Sequence, residues 1–297
     1  MSVEKRLNAA YQNAEEILIN KGSKIVLISD CHRGTGNWGD NLFSNQNLYF
    51  AALNYYYENN FIYIELGDGD ELWENRSEED IIAAHSYAFW MISRFYENKR
   101  FYMLYGNHDI VKRNPAYVKE NFTTYYNESY KKTLLLLPGI HVREALVLRI
   151  KDTEHKILLV HGHQADFFNN TLWRLARFLV RYLWRPFEVI GVKDPTSTSK
   201  NHNKKEKVEK YLMEWCGKHH QMLIAGHTHR PTFPALGEPM YFNDGSCVHP
   251  RCITSIEIEN ESISLVKWFV TTRSDGSLYV ERKLLEGPVP LIDFFSV

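Results

Sequence analysis

Cysteine is scarce in this sequence. Of 297 residues four are cysteine, Cys31, Cys216, Cys247 and Cys252, with no C-x-x-C pair and no framework spacing. That excludes a small disulfide-stapled fold and leaves reduced thiols in a cytoplasmic protein as the expectation. An excess of either charge is lacking too. Lys+Arg is 35 and Asp+Glu is 36, so no global field favours nucleic acid or another polyanion. No uninterrupted apolar run approaches the ~18 residues that span a bilayer. The opening MSVEKRLNAA has neither an apolar h-region nor a small-residue cleavage site, which argues against a secretory leader. Internal repeats and low-complexity tracts are missing as well.

What is present is the balance of a soluble globular protein, 44% hydrophobic and 24% charged. Residues 3–20 read as an amphipathic helix that Gly22 ends. Lys24–Asp30 is a β-branched run finishing in polar residues, the mark of a buried strand. The pattern repeats: a helix over 43–59 before a strand Phe61–Leu66, and a helix over 78–98 before a strand Phe101–Tyr105. This alternation predicts βαβ units with a largely parallel core. Leu146–Ile150, Lys156–Val160 and residues 221–225 read as further strands, and 240–283 as a short antiparallel meander. Residues 166–218 read as a mainly helical insertion, broken by a polar loop Asp194–Lys205. The expectation is one α/β domain over residues 1–297 that carries this insertion.

In open α/β sheets ligands bind beyond the carboxyl ends of strands. Five strand ends here finish in oxygen or imidazole donors: Asp30-Cys31-His32, Gly67-Asp68-Gly69-Asp70-Glu71, Gly106-Asn107-His108-Asp109, His161-Gly162-His163 and Gly226-His227-Thr228-His229. A lone D-x-H or H-x-H carries little; five in succession at strand ends have no bland reading that explains them together. Two divalent ions ~3.5–4 Å apart need one bridging group and about three further protein ligands each. A carboxylate bridge offsets the repulsion between the cations. Mixed imidazole and carboxylate donors suit Mn, Fe, Zn, Co or Ni better than all-oxygen Mg or Ca.

The order D-x-H, G-D-x-x-E, G-N-H-D, H-G-H and G-H-x-H resembles the calcineurin-like metallophosphoesterase superfamily from about residue 24 to about residue 256. The resemblance implies a four-layer β-sandwich flanked by helices. By motif, it implies that Asp30, His32 and His229 hold one metal, that Asn107, His161 and His227 hold the other, and that Asp68 bridges them. It further implies that His108 is the general acid, that Asp109 orients it, and that Glu71 steadies a ligand imidazole. The activity implied is hydrolysis of a phosphate ester or phosphoanhydride by a hydroxide held between two divalent ions, with a phosphorylated small molecule or an amphiphile as substrate.

The insertion carries Arg174, Arg177, Arg181 and Arg185 at helical spacing on an otherwise apolar stretch, 171–185. Such a stripe reads as a lid or interfacial helix that contacts an amphiphilic phosphate or a membrane surface. It reads equally as a core helix with a solvated arginine face, or as an oligomer contact. Its position, together with Gly226-His-Thr-His-Arg-Pro231, resembles the UDP-2,3-diacylglucosamine hydrolase branch, which implies a lid closing over a lipid pyrophosphate. The chain departs from that branch at His108, where it usually has Arg, and at His163, where it usually has Asp. Arg33 and Arg230 adjoin metal motifs and read equally as phosphate clamps or as ordinary surface arginines, and His163 either lines the site or supports His161. Asp244 and His249 read as support for the site or as turn chemistry around Gly245, and the run Lys200–Lys210 as a solvated loop. A third functional reading comes from another class: the same fold used as a non-catalytic protein-binding module.

Overall fold

Alternation along each central strand sends successive side chains to opposite faces, and in this chain both faces are apolar. From Lys24–Ile28, Ile25 and Leu27 enter one core while Val26 and Ile28 enter another. The fold follows from that: sheets buried on both sides need partners on both sides. The structure, a computed structural model, describes residues 2–127, 130–166 and 202–296.

The described strands are β1 Glu15–Ile19, β2 Lys24–Ile28, β3 Ile62–Glu65, β4 Phe101–Leu104, β5 Thr124–Asn127, β6 Lys132–Leu135, β7 Val142–Arg143, β8 Ala145–Ile150, β9 Lys156–Val160, β10 Met222–Ala225, β11 Tyr241–Asn243, β12 Cys252–Glu259, β13 Ser262–Thr272 and β14 Leu278–Pro290. The described helices are α1 Val3–Asn13, α2 Gln46–Glu58, α3 Glu78–Ala84, α4 Ser86–Glu97, α5 Pro115–Phe122, α6 His202–His219 and α7 Leu291–Phe295. One sheet runs β1-β8-β9-β10-β11 and the other β14-β13-β12-β2-β3-β4-β7, with β5-β6 as a separate hairpin. Leu27, Ile64, Leu148, Leu159 and Ile224 meet between the two large sheets. The other face of the seven-stranded sheet packs on α2, α4 and α5 through Tyr49, Phe89 and Phe122. The outer face of the five-stranded sheet packs on α1 and α6 through Leu7, Leu212 and Trp215. The result is a four-layer α/β sandwich, as the motif order implies.

Several local expectations change. The 3–20 helix stops at Asn13. Glu15–Ile19 instead pairs in parallel with β8, since a ladder satisfies its backbone and Ile19 goes inward while the glutamates stay in water. The 78–98 helix breaks at His85, which leaves helical geometry at φ −111 and places Nε2 2.7 Å from Asp40. The core is mixed rather than largely parallel, because β8–β9 and the whole β2-β12-β13-β14 ladder are antiparallel. Tyr241–Asn243 joins β10 in parallel instead of opening a meander, and the hairpin of β5 and β6 is additional. Residues 202–205, read as loop, begin α6. Arg174, Arg177, Arg181 and Arg185 lie outside the described residues, as does most of the 166–218 insertion. Among the described residues no helix is long and apolar enough to cross a membrane.

Candidate metal centre

The strand ends named from the sequence converge because β2, β3 and β4 of one sheet and β9 and β10 of the other open toward the same edge. Backbone bonds stitch the loops together: Asp30 N–H donates to Gly67 O at 3.1 Å, His32 N–H to Asp68 O at 3.0 Å, and Gly226 N–H to His161 O at 3.0 Å. A Cβ at Gly106 would overlap the Asp68 carboxylate, so that close approach requires glycine. Asp30, His32, Asp68, His227 and His229 all sit at positive φ. Side chains resist that region, by about 1–3 kcal/mol each. Five such residues at one spot mark backbone strain held for function.

Three donor groups result among the described residues; two are Asp30 with His32 and His229, and Asp68 with His161 and His227, the third is His32 with Glu71 and His108, and within each the donor atoms lie within 4.8 Å of one another. His229 Nε2 is 2.9 Å from Asp30 Oδ1, and His32 Nε2 lies 3.2 Å from His229 Nε2. Asp68 Oδ2 is 3.1 Å from His161 Nε2 and 3.9 Å from His32 Nε2, so this carboxylate reaches toward both of the first two groups. Asn107 is fully buried beside them.

Whether these residues suit cations is tested by their hydrogen bonding. Asp30 Oδ1, both amide atoms of Asn107, His161 Nε2 and His227 Nε2 are buried and make no hydrogen bond. Orphaned polar atoms of that number are costly unless something charged meets them. The tautomers agree. His161 Nδ1–H donates to Leu66 O at 3.0 Å and His32 Nδ1–H to Glu71 Oε2 at 2.8 Å, which leaves each Nε2 lone pair pointing inward. The donor set fits divalent ions.

Electrostatics in the protein alone fit that reading. Burial works to raise the Asp68 carboxyl, yet His161 and His108 hold it well below the usual carboxylate range. Burial depresses His161, but Asp68 and Asp30 outweigh it and push the imidazole up to about 9. For His229 burial wins against Asp30, with His32 adding repulsion, and its value falls to about 4. Asp68 and Asp30 stay ionised and draw positive charge onto His161, a demand that a bound cation would meet.

Glu71 does more than steady one ligand. Its carboxylate also accepts from His108 Nδ1–H at 2.8 Å. On the other side Trp73 stacks on His108, rings 4.3 Å apart and 21° from parallel. Asp109, expected to orient His108, does not touch it. Its carboxylate accepts from the N–H of Gly106 at 2.6 Å and Gly69 at 3.2 Å, and pairs with Lys112 at 3.0 Å. It braces the loops, and the carboxylate that orients His108 is Glu71. Arg33 is corrected as well. It is 0% exposed, and its guanidinium is engaged by Asp70 at 2.5 Å and Glu65 at 2.8 Å, so it neither clamps phosphate nor lies on the surface.

Other groups surround the centre. Arg230 stays half exposed, 3.5 Å from Glu209 of α6. Glu209 also accepts from the Thr228 hydroxyl at 3.0 Å, between His227 and His229. His163 is buried with Nδ1 unbonded, its ring 5.6 Å from that of His161. Burial, then His161 and His227, press its pKa well below the usual value. Asp166 Oδ2 lies 3.6 Å from His227 Nε2. The Ser29 hydroxyl spans Asp30 Oδ2 at 2.5 Å and Asp244 Oδ1 at 2.7 Å, which places Asp244 in support of the site. Glu209, Trp73, Lys112 and Asp166 escaped the sequence reading. Trp73, Lys112 and Asp166 stand two or three positions beyond motif residues, a signal present in the spacing; Glu209 acts through pairs with Thr228 and Arg230 that local spacing does not encode.

Among solved structures, Vps29 of Chaetomium thermophilum is similar at 12% identity with a TM-score of 0.37, covering 88% of this chain and 96% of that one. A point mutant of a cold-active protein tyrosine phosphatase is similar at 12% identity and 0.39, over 92% and 83%. A candidate 5′-nucleotidase of Staphylococcus aureus is similar at 15% identity and 0.35, over 90% of this chain and 54% of its own length. No functional assignment follows from likenesses this distant. No curated protein matches the chain. The family model for calcineurin-like phosphoesterase, in contrast, matches residues 23–231, a stretch that begins just before β2 and ends just after His229. By that match, over most of its length, the chain belongs to the calcineurin-like phosphoesterase family.

Proposed function

We propose that this chain is a phosphoesterase that uses two divalent metal ions, one held by Asp30, His32 and His229, the other by Asn107, His161 and His227, with Asp68 shared. The observation that carries the reading is the set of buried, unbonded donor atoms on Asp30, Asn107, His161 and His227 around one carboxylate. Ions so held would supply Lewis acidity toward phosphoryl oxygens and lower the pKa of a water between them. Mn, Fe, Zn, Co and Ni all suit the donor set.

The chain's own residues handle the leaving side. As water adds to phosphorus and the opposite P–O bond breaks, the departing oxygen takes the proton on His108 Nε2. Glu71 accepts from Nδ1–H, fixing the ring's orientation, while Trp73 holds the ring plane. The backbone N–H of His108, which donates to Asp68 Oδ1 at 2.8 Å, keeps the shared carboxylate and the acid in register. Asp68 thereby ties the proton donor to the metal donors.

The finer reading, a lipid pyrophosphate substrate under a lid, draws its support from G-H-T-H-R-P and from the position of residues 166–218. Release of a nucleoside monophosphate from such a substrate would support it; preference for water-soluble monoesters would count against it. The activity itself is tested with purified protein loaded with Mn²⁺ and a panel of aryl phosphate mono- and diesters. Metal-dependent turnover is expected. Absence of turnover with every divalent metal, in protein shown to be folded, would favour the non-catalytic binding module instead.

A further inference from the structure

Among the described residues the seven-stranded sheet ends on β14, which is hydrogen-bonded there on one side only, to β13. None of its 13 residues is buried. Natural edge strands are blunted by bulges, prolines and charges that stop other chains from pairing. On β14 the bulges and prolines are confined to the second half, while the charges Glu281, Arg282 and Lys283 stand in the first. The register with β13 slips between the Val266–Leu284 and Leu265–Glu286 pairs, and again before Ile263–Val289, beside Pro288. From Leu278 to Leu284 it runs unbroken. That regular half also exposes apolar side chains: Leu278 is 71% exposed, and Val280, Leu284 and the adjoining Leu285 are exposed with it.

The hairpin turn fixes which backbone groups are free. Arg273 N–H donates to Ser277 O at 2.9 Å, which makes that pair a hydrogen-bonded one. Bonding alternates along an antiparallel ladder. The N–H and C=O groups of Leu278, Val280, Arg282 and Leu284 therefore point away from β13, toward open solvent.

We propose that two copies of this chain pair edge to edge through antiparallel β14 strands, about a two-fold axis at Arg282. The strand is self-complementary in that register. Val280 falls opposite Leu284 of the second copy, Tyr279 opposite Leu285, and Glu281 opposite Lys283. Val280 and Leu284 belong to the outward-bonding set, so the ladder closes with reciprocal backbone bonds. Glu281 and Lys283 fall at the intervening positions, where cross-strand side chains come closest. Within one chain Lys283 stands opposite Lys267, a like-charge pair that gains a counter-charge from Glu281 of the second copy. At the axis two Arg282 side chains meet, and each is already neutralised by its own Glu257, with Nε donating at 2.8 Å. Moving the axis by one residue would set Glu281 against Glu281, or Lys283 against Lys283. Charge thus selects the Arg282 register.

Sedimentation velocity of the full chain over a micromolar concentration range tests this, with Glu281→Lys, Lys283→Glu and the double swap as variants. The wild type is expected to dimerise. Each single swap turns two attractive cross-strand pairs into repulsive ones and should raise the dimer Kd about tenfold, while the double swap restores it. Circular dichroism establishes that every variant is folded. A wild type that stays monomeric overturns the proposal. So does a dimer indifferent to the single swaps, or one that the double swap fails to restore.

Discussion

Glu71 and His108 are joined by a 2.8 Å hydrogen bond from imidazole Nδ1–H to carboxylate Oε1, and the same carboxylate holds His32 at 2.8 Å through Oε2. One side chain thus sets the orientation of both the candidate acid and a candidate metal ligand. Burial works to raise this carboxyl, but His108 and His32 outweigh it and bring its pKa down to about 2. It is ionised at any pH where the enzyme would work.

Glu71→Gln keeps the shape but removes the charge and presents an amide N–H₂ to one of the two imidazoles. Turnover should fall about 10–100-fold, with weaker metal binding through His32. Steady-state kinetics with a parallel metal titration checks both effects. An unchanged kcat would show that neither imidazole depends on it.

His108→Ala removes the proposed proton donor and leaves every proposed metal ligand unsubstituted. For a substrate with a poor leaving group, kcat should fall about 10²–10⁴-fold. For a nitrophenyl ester, whose leaving oxygen needs little protonation, the loss should be much smaller. Equal losses for both would mean that His108 binds phosphate rather than protonates.

Lys112 is buried between Asp70 and Asp109, and burial lowers its pKa less than those two carboxylates raise it. Lys112→Met leaves Asp109 without a counter-charge in the interior, while Asp70 keeps only Arg33. The variant should lose about 3–5 kcal/mol of stability, read from denaturant unfolding of metal-free protein. A loss below about 1 kcal/mol, the scale of an exposed pair, would contradict the account.

Acid sensitivity follows from the same cluster. Burial would raise the Asp70 carboxyl, but Arg33 and Lys112 overcome it and hold it well below the usual range. A folded pKa lower than the unfolded value of about 3.9 means the stabilisation is complete at neutral pH. It begins to go as pH falls through about 4 and keeps going toward the folded pKa. Melting temperature should therefore drop on acidification below about pH 4, less steeply in Lys112→Met than in the wild type.

The site was legible where local chemistry and position coincide. Asp30, Asp68, Asn107, His161 and His227 each follow an apolar strand that the alternation or the buried run reveals, so their convergence could be read before any coordinates. Arg33 could not be placed that way. Its neighbour in sequence, His32, is a candidate ligand, but its guanidinium is turned by Glu65 and Asp70, both more than thirty positions away. Asp109 was misread for a similar reason: beside His108 in sequence, it is drawn under the loops by the N–H groups of Gly106 and Gly69. The 3–20 stretch has helical periodicity throughout, and only the free edge of β8 decides that its last third becomes a strand.

Anomalous diffraction from crystals grown with Mn²⁺ tests the central claim most directly. Two peaks should appear, both touching Asp68, one flanked by His32 and His229 and the other by His161 and His227. A map with no peak at Asp68, or with manganese only elsewhere on the chain, would contradict the account.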